Sequence, residues 1–351
     1  MASYSSRHWC QCLSVGLAVA FTICISQAMS ARTLENHDDN ASISMANWHD
    51  QWMAQYGRVY KDNAEKHRRY KIYRLNMLFI EDFNKNAGKK YVLSPNAFTD
   101  QTNEEFISYR NGLKQSSQLG SNTPFKYENV TVVPSTMDWR TQGAVTPIKD
   151  QGECGCCWAF SAVAAMEGIT QLSTGNLTSL SEQELVDCDT SGEDQGCEGG
   201  LMDNAFEFIE HNKGLSTESN YPYSGVDGTC NKKKEAASAA NINGYEDVPA
   251  NSEGDLLKAV ANQPISVAID ASGSAFQFYS SGVFAGECGT ELDHGVTAVG
   301  YGTDSDGTKF WLVKNSWGTE WGEDGYIRMQ RDIGAEEGLC GIAMQASYPT
   351  V

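Results

Sequence analysis

Cys154, Cys156 and Cys157 fall within four positions of Asp150–Ser161, directly ahead of the apolar run Trp158-Ala-Phe-Ser-Ala-Val-Ala-Ala. A cysteine acts as a nucleophile only as thiolate, and the first turn of a buried helix favours that form through free N–H groups and the positive end of the helix dipole. Of the three, only Cys157 abuts the expected helix. A thiolate also needs a base. Four of the six histidines, His8, His37, His49 and His67, lie upstream of a polar stretch at 111–123, leaving His211 and His294. His211 sits at a Gly-terminated helix end, where a histidine complements the dipole. His294 opens an apolar strand, and Asn315, at the end of another, offers an amide oxygen to hold an imidazole N–H. Cys157, His294 and Asn315 are the set that nucleophilic thiol catalysis requires. Zinc would want a second Cys or His pair, which the cysteine-rich stretch lacks. Eight cysteines remain beyond the first 30 residues, and four structural disulfides are the alternative reading.

The elements that must position these groups are legible as patterns. Cys157–Leu172 reads as an Ala-rich helix, apolar on most faces and stopping near Gly175. Ser181-Glu-Gln-Glu184 has a capping-box pattern opening a short helix, and Met202–Ile209 reads as a third. Beyond about residue 240 the texture turns to strands at Ile265–Ile269, His294–Tyr301, Phe310–Lys314 and Gly325–Met329. A helical half followed by a β half implies an α+β body with a cleft between them. Upstream, residues 41–86 read as an amphipathic helical hairpin broken near Gly57. The polar stretch 111–123 reads as an exposed linker open to proteolysis.

Residues 1–30 combine Arg7, a short apolar run and small residues near Ala28–Ala31, the pattern of a removed secretory leader. An oxidising compartment follows, and with it three glycan acceptor patterns at Asn40, Asn129 and Asn176. Residues 1–132 carry 15 Lys and Arg against 12 Asp and Glu, whereas residues 133–351 carry 11 against 33. A basic segment ahead of an acidic body points to intramolecular association that weakens as carboxylates protonate. The acidity argues against nucleic acid and anionic membrane as partners.

Gln151–Trp158 resembles the catalytic signature of papain-like cysteine peptidases of the cathepsin L type, and His294 and Asn315 follow at that family's downstream distances. Asp138-Trp-Arg140, Cys197-Glu-Gly-Gly200, Asp293-His294, Asn315-Ser-Trp-Gly318 and Cys340–Met344 match as well. Glu65, Arg69, Tyr73, Asn76, Ile80 and Asn84 fit the inhibitory propeptide helix, with Tyr73 where Phe is usual. Asn96, Phe98 and Asp100 fit a second propeptide motif, with Ser94 replacing its leading Gly. The wording is most similar to plant vacuolar, senescence-associated members.

The resemblance implies a two-lobed papain-like body, with a leader at 1–30, an inhibitory propeptide at 31–132 and a mature peptidase at 133–351. Its helical lobe would span about 142–245 and its β lobe about 246–345. Cys157 would be the nucleophile, His294 its ion-pair partner and later the general acid, and Asn315 the orienting residue. Trp317 would shield the His–Asn bond, and Gln151 would donate to the oxyanion. Gly199 and Gly200 would approach the substrate backbone, next to Asp293. Met202, Ala268, Leu292 and Gln345 would line a pocket favouring an apolar side chain second before the scissile bond. Disulfides would pair Cys154–Cys197, Cys188–Cys230 and Cys288–Cys340, leaving Cys156 as a free thiol that sensitises the enzyme to oxidation. The expected partners are protein and peptide substrates, the chain's own propeptide and cystatin-like inhibitors. No cofactor, metal, nucleic acid or membrane is expected, and the enzyme would act as a monomer in the vacuole, lysosome or extracellular space. Two other readings are a catalytically dead binding or storage protein with four disulfides, and a peptide ligase using the same acyl-enzyme.

Overall fold

The computed structural model describes residues 44–86, 88–114, 125–190 and 192–351. The expected leader, Asn40 and most of the polar stretch 111–123 lie outside them. The chain divides into two compact units, ending and beginning at Arg74 and Leu75.

In the first unit, helix α1 (44–55) stops just before Gly57, whose φ of +62° suits a residue without a Cβ. Helix α2 (Asn63–Lys85) then starts and runs on into the second unit. Trp52, His49 and Tyr73 are buried together, with the His49 and Tyr73 rings 4.9 Å apart. Glu65 bonds both Arg68 and Arg69 one turn on, the i,i+3 and i,i+4 pairing of an exposed helix face.

The second unit is built on strands β1 (Tyr91–Leu93), β2 (Met137–Asp138), β3 (Gly244–Asp247), β4 (Ile265–Ile269), β5 (Tyr279–Phe284), β6 (His294–Thr303), β7 (Lys309–Lys314), β8 (Tyr326–Gln330) and β9 (Ala346–Thr350). Their order is β1-β5-β8-β7-β6-β4-β9-β3, with β2 added to β6, and every pairing is antiparallel except β5–β8. One apolar core, including Val267, Trp311, Val313, Ile327 and Tyr348, lies within this sheet lobe. A second surrounds helix α4 (Cys157–Thr174), which is buried from Cys157 to Thr170 and ends at Gly175 with φ +80°. Ser161 of α4 donates to the Val296 carbonyl of β6 at 2.6 Å, fixing the helix against the strand that carries His294.

Helix α3 (Asn103–Arg110) buries Phe106 in the core of the sheet lobe, and the short helices α5 (Glu182–Cys188) and α6 (Met202–His211) follow α4 in the helical lobe. Ser181 caps α5 by accepting from the Glu184 N–H. The reciprocal half of the expected capping box is not made: the Glu184 carboxylate instead accepts from the Ser216 N–H and the Asn212 amide. A nearby loop donor won over the helix's own cap. His211 ends α6 on the surface.

Propeptide-motif residues are explained by this unit. Asn76 donates to the carbonyls of Thr99 and Gln101, and Asn84 exchanges two hydrogen bonds with Leu93. These bonds hold the Asn96–Asp100 turn on α2. Asn96 in turn donates to the Gln277 carbonyl, tying that turn to the sheet lobe.

Candidate active site

Cys157 is the first residue of α4 and is fully buried, its Sγ receiving the N–H groups of Gly112 and Gly295, each at 3.4 Å. Gly295 follows His294 in β6, so the bond to its N–H brings the start of α4 against the strand that carries the imidazole. His294 Nε2 lies 2.9 Å from Asn315 Oδ1, which also accepts the Ser316 N–H at 2.8 Å. An amide oxygen that already accepts one N–H must be the atom facing the ring, so Nε2 carries the hydrogen and Nδ1 holds the free lone pair. Nδ1 makes no hydrogen bond. Trp317 stacks on the imidazole with centroids 4.6 Å apart and is itself 2% exposed, so water is kept from the His–Asn bond.

Gln151 is buried. Its Nε2 donates to the carbonyls of Cys154 at 2.8 Å and Arg110 at 3.0 Å, while its Oε1 accepts from the Ser316 hydroxyl at 2.7 Å. The side-chain amide is therefore fixed with one N–H pointing into the cleft.

What fills the cleft is the chain's own segment Arg110–Lys114, of which residues 111–114 were expected to open an exposed linker. Gly112 and Lys114 bond to both backbone groups of Gly200, and Leu113 N–H donates to the Asp293 carbonyl at 3.1 Å. The resulting Leu113–Gly200 bridge is parallel. Asn111 donates to the Asp293 carboxylate at 2.8 Å. Gly112 has no room for a side chain, since a Cβ would collide with the Gly155 carbonyl; a Cβ on Gly199 would collide with the Gly112 carbonyl. The Cys157 sulfur is thus covered by this segment and receives a backbone N–H from it.

Leu113 is buried in the apolar cluster that contains Met202, Ala205 and Ala268, against which Leu292 packs. Gln345 lies alongside, its carbonyl accepting the Ala268 N–H at 3.0 Å. Leu113 and the expected pocket residues Met202, Ala268 and Leu292 therefore belong to one apolar cluster. Leu113, Gly112, Asn111 and Arg110 were not singled out from the sequence; the one available signal was an apolar residue after a glycine inside a polar stretch.

Covering the cleft changes its acid–base state. Burial pushes the Cys157 thiol up to about 11. Burial, reinforced by the nearby Arg110 guanidinium, lowers His294 to about 4 against an opposing hydrogen bond to Asn315. Thiol and neutral imidazole are the forms favoured while the segment is seated, because low polarity disfavours both charges.

Disulfides join Cys154–Cys197, Cys188–Cys230 and Cys288–Cys340, and Cys156 and Cys157 are free thiols. Two free thiols contradict the four-disulfide alternative. The environment of Cys156 argues against its expected oxidative role. It is fully buried, its Sγ lies 3.0 Å from the Tyr223 hydroxyl, and burial raises its pKa, so no exposed thiolate is available to oxidant. Asn129 and Asn176 are both exposed. Among the described residues, no helix is long and apolar enough to cross a membrane.

Comparison with known proteins agrees with this geometry. The profile of the papain family cysteine proteases matches residues 133–350, and that of the cathepsin propeptide inhibitor domain matches residues 49–106. The senescence-specific cysteine protease SAG39 of Oryza sativa subsp. japonica is 59% identical, covering 95% of this chain and 97% of the relative. The senescence-specific cysteine protease SAG12 of Arabidopsis thaliana is 54% identical over the same shares of the two chains. Among solved structures, a recombinant stem bromelain precursor superposes with a TM-score of 0.82 at 48% identity, covering 88% of this chain and 99% of that one. The proform of Amb a 11, a ragweed pollen allergen, gives 0.82 at 43% identity over 88% and 94%.

Proposed function

Because the chain belongs to the papain family of cysteine proteases and carries that family's propeptide inhibitor domain, we propose that it is a zymogen of an endopeptidase in which Cys157, His294, Asn315 and Gln151 do the chemistry. With the cleft open, His294 Nδ1 takes the Cys157 proton, and the thiolate attacks the scissile carbonyl carbon. The carbonyl oxygen becomes an oxyanion held by the Gln151 amide. The imidazolium then gives its proton to the leaving amine, the thioester remains on Sγ, and water returns it to acid and thiol. Asn315 keeps Nε2 protonated and the ring in plane.

The observation that supports this reading best is the seat of Arg110–Lys114 across Cys157, Gln151 and Gly200. A substrate main chain would take the same Gly200 bonds, and an apolar side chain would take the place of Leu113 among Met202, Ala268 and Leu292, next to Gln345. Leucine is the side chain we expect second before the scissile bond.

We place the leader at 1–30, the propeptide at 31–132 and the mature monomeric enzyme at 133–351. Glycans would sit at Asn40, Asn129 and Asn176, and cystatin-like proteins would bind the open cleft. The secretory route would end in the vacuole, lysosome or extracellular space. General protein degradation is the role we assign, and the senescence-specific relatives direct the search for it to senescing tissue.

Incubating the purified proform near pH 5 should release a protein whose N-terminus lies close to Val133. Equal maturation of the Cys157→Ala form, with no other protease present, would refute self-processing. Product analysis with an added amine acceptor separates hydrolysis from ligation.

A further inference from the structure

Gln151 must hold its side-chain amide still if that N–H is to meet an oxyanion, and its tethers are visible. From the sheet side, Ser316 accepts the Gln151 backbone N–H at 2.9 Å and donates its hydroxyl to Oε1 at 2.7 Å. From the helical side, the Tyr223 hydroxyl donates to the Gln151 carbonyl at 2.6 Å. The next residue, Gly152, has φ +63° and bonds Asp150 through its N–H, so the chain turns sharply at this peptide plane. Rotating that plane would swing the Gln151 side chain off its line.

Tyr223 is itself positioned. Phe160 of α4 meets its ring edge-on at 5.0 Å, and Cys156, next to the nucleophile, places Sγ 3.0 Å from its hydroxyl. The phenol hydrogen is committed to the Gln151 carbonyl. The phenol oxygen is then the acceptor and the Cys156 thiol the donor.

We infer that Cys156 and Tyr223 form a two-step hydrogen-bonded relay, Cys156 S–H to Tyr223 O–H to the Gln151 carbonyl, and that both are positioning residues for the oxyanion donor. The relay rests on the assignment of Gln151 as that donor. It gives the spare thiol beside the nucleophile a role that needs no reactivity, and burial, which keeps it protonated, suits it to donate.

The test uses mature enzyme processed from the full chain, with three measurements on each variant. These are peptide hydrolysis, affinity for a peptide aldehyde whose adduct with Cys157 carries an oxyanion, and alkylation of Cys157 by iodoacetamide, which creates none. Tyr223→Phe removes one oxygen and keeps the ring. One lost hydrogen bond corresponds to roughly 3- to 10-fold. That fall is expected in kcat, with KM little changed, and in aldehyde affinity, while alkylation stays within about twofold. Cys156→Ala should show a smaller loss of the same kind, and Cys156→Ser, which keeps a donor, should restore it. In a Gln151→Ala background, which alone should cost roughly 100-fold or more in kcat, Tyr223→Phe should add nothing. A Tyr223→Phe loss that persists undiminished in that background, or that spares aldehyde binding, overturns the relay while leaving Gln151 in place. A Gln151→Ala enzyme with unchanged kcat overturns the oxyanion assignment and the relay with it.

Discussion

Lowering the pH from 7 to 5 should weaken the covered state of the cleft through His294. In the covered state burial and Arg110 hold the imidazole near 4, against an ordinary value of 6.5. A base held below its ordinary value favours the neutral form. The covered state is therefore fully favoured above about 6.5 and loses ground as pH falls from there toward 4. At about 1.4 kcal/mol per pH unit, the penalty at pH 5 is about 2 kcal/mol, or roughly 20- to 30-fold in the opening equilibrium. Hydrogen exchange of the Leu113 and Lys114 amides, both bonded within the cleft, reads that equilibrium once intrinsic rates are corrected for pH. The Cys157→Ala proform prevents self-cleavage during the measurement. Adding His294→Gln should flatten the pH dependence by the amount given above. Asp293, pushed up to about 6 by burial, titrates in the same window, so the comparison between the two variants carries the test rather than pH alone. An identical pH dependence with and without the histidine would show that its covered state is not the source of acid opening.

Three further outcomes follow from the packing. Gly112→Ala cannot keep its seat against Gly155, so it should forfeit the bonds to Sγ and Gly200 and raise Cys157 alkylation in the proform at pH 7 by roughly 10-fold or more; a wild-type rate by intact mass would contradict this. Tyr127→Phe deletes the 2.7 Å bond to buried Gln263, and should cost the proform about 1 kcal/mol in denaturant melts while leaving no trace once residues before Val133 are gone. Cys156→Ser and wild-type mature enzymes should lose activity to dilute peroxide at the same rate; protection by serine would mean that the buried thiol is reached after all.

The candidate triad stood out in the sequence because each member carries a local signal: Cys157 opens an apolar run, His294 starts an apolar strand and Asn315 ends one. Helix α4 and strands β4, β6, β7 and β8 stood out by period and composition for the same reason. Their bounds moved by a residue or two, as ladder pairing extended β6 to Thr303 and β7 back to Lys309. What stayed hidden was set by partners distant in sequence. Asn111–Lys114 read as the start of a polar linker because the order of this segment comes from Gly200, Asp293 and the Gln151 bond to Arg110, not from its own composition. Glu184 had the right spacing for a capping box, yet Ser216, 32 residues on, claimed its carboxylate. Cys156 looked exposed to oxidant because adjacency to Cys157 in sequence says nothing about burial. Tyr223 gave no signal, since its work depends on a carbonyl 72 positions away.

The covering segment is held on both sides of residues 115–124. Upstream it is fixed at Lys114 against Gly200; downstream, Tyr127 is buried beside Tyr348 and Lys126 bonds Glu246. While the chain is intact, the inhibitor cannot be diluted, because both its ends belong to the molecule it blocks. A single cut between Lys114 and Phe125 leaves every contact in the cleft unchanged, yet turns reseating into a meeting of two molecules. A tethered segment works at an effective concentration of about millimolar, whereas a released one works at the concentration of the enzyme itself. Occupancy of the cleft would then fall with protein concentration, so activation should be faster and more complete in dilute solution than in concentrated solution once the first cut is made.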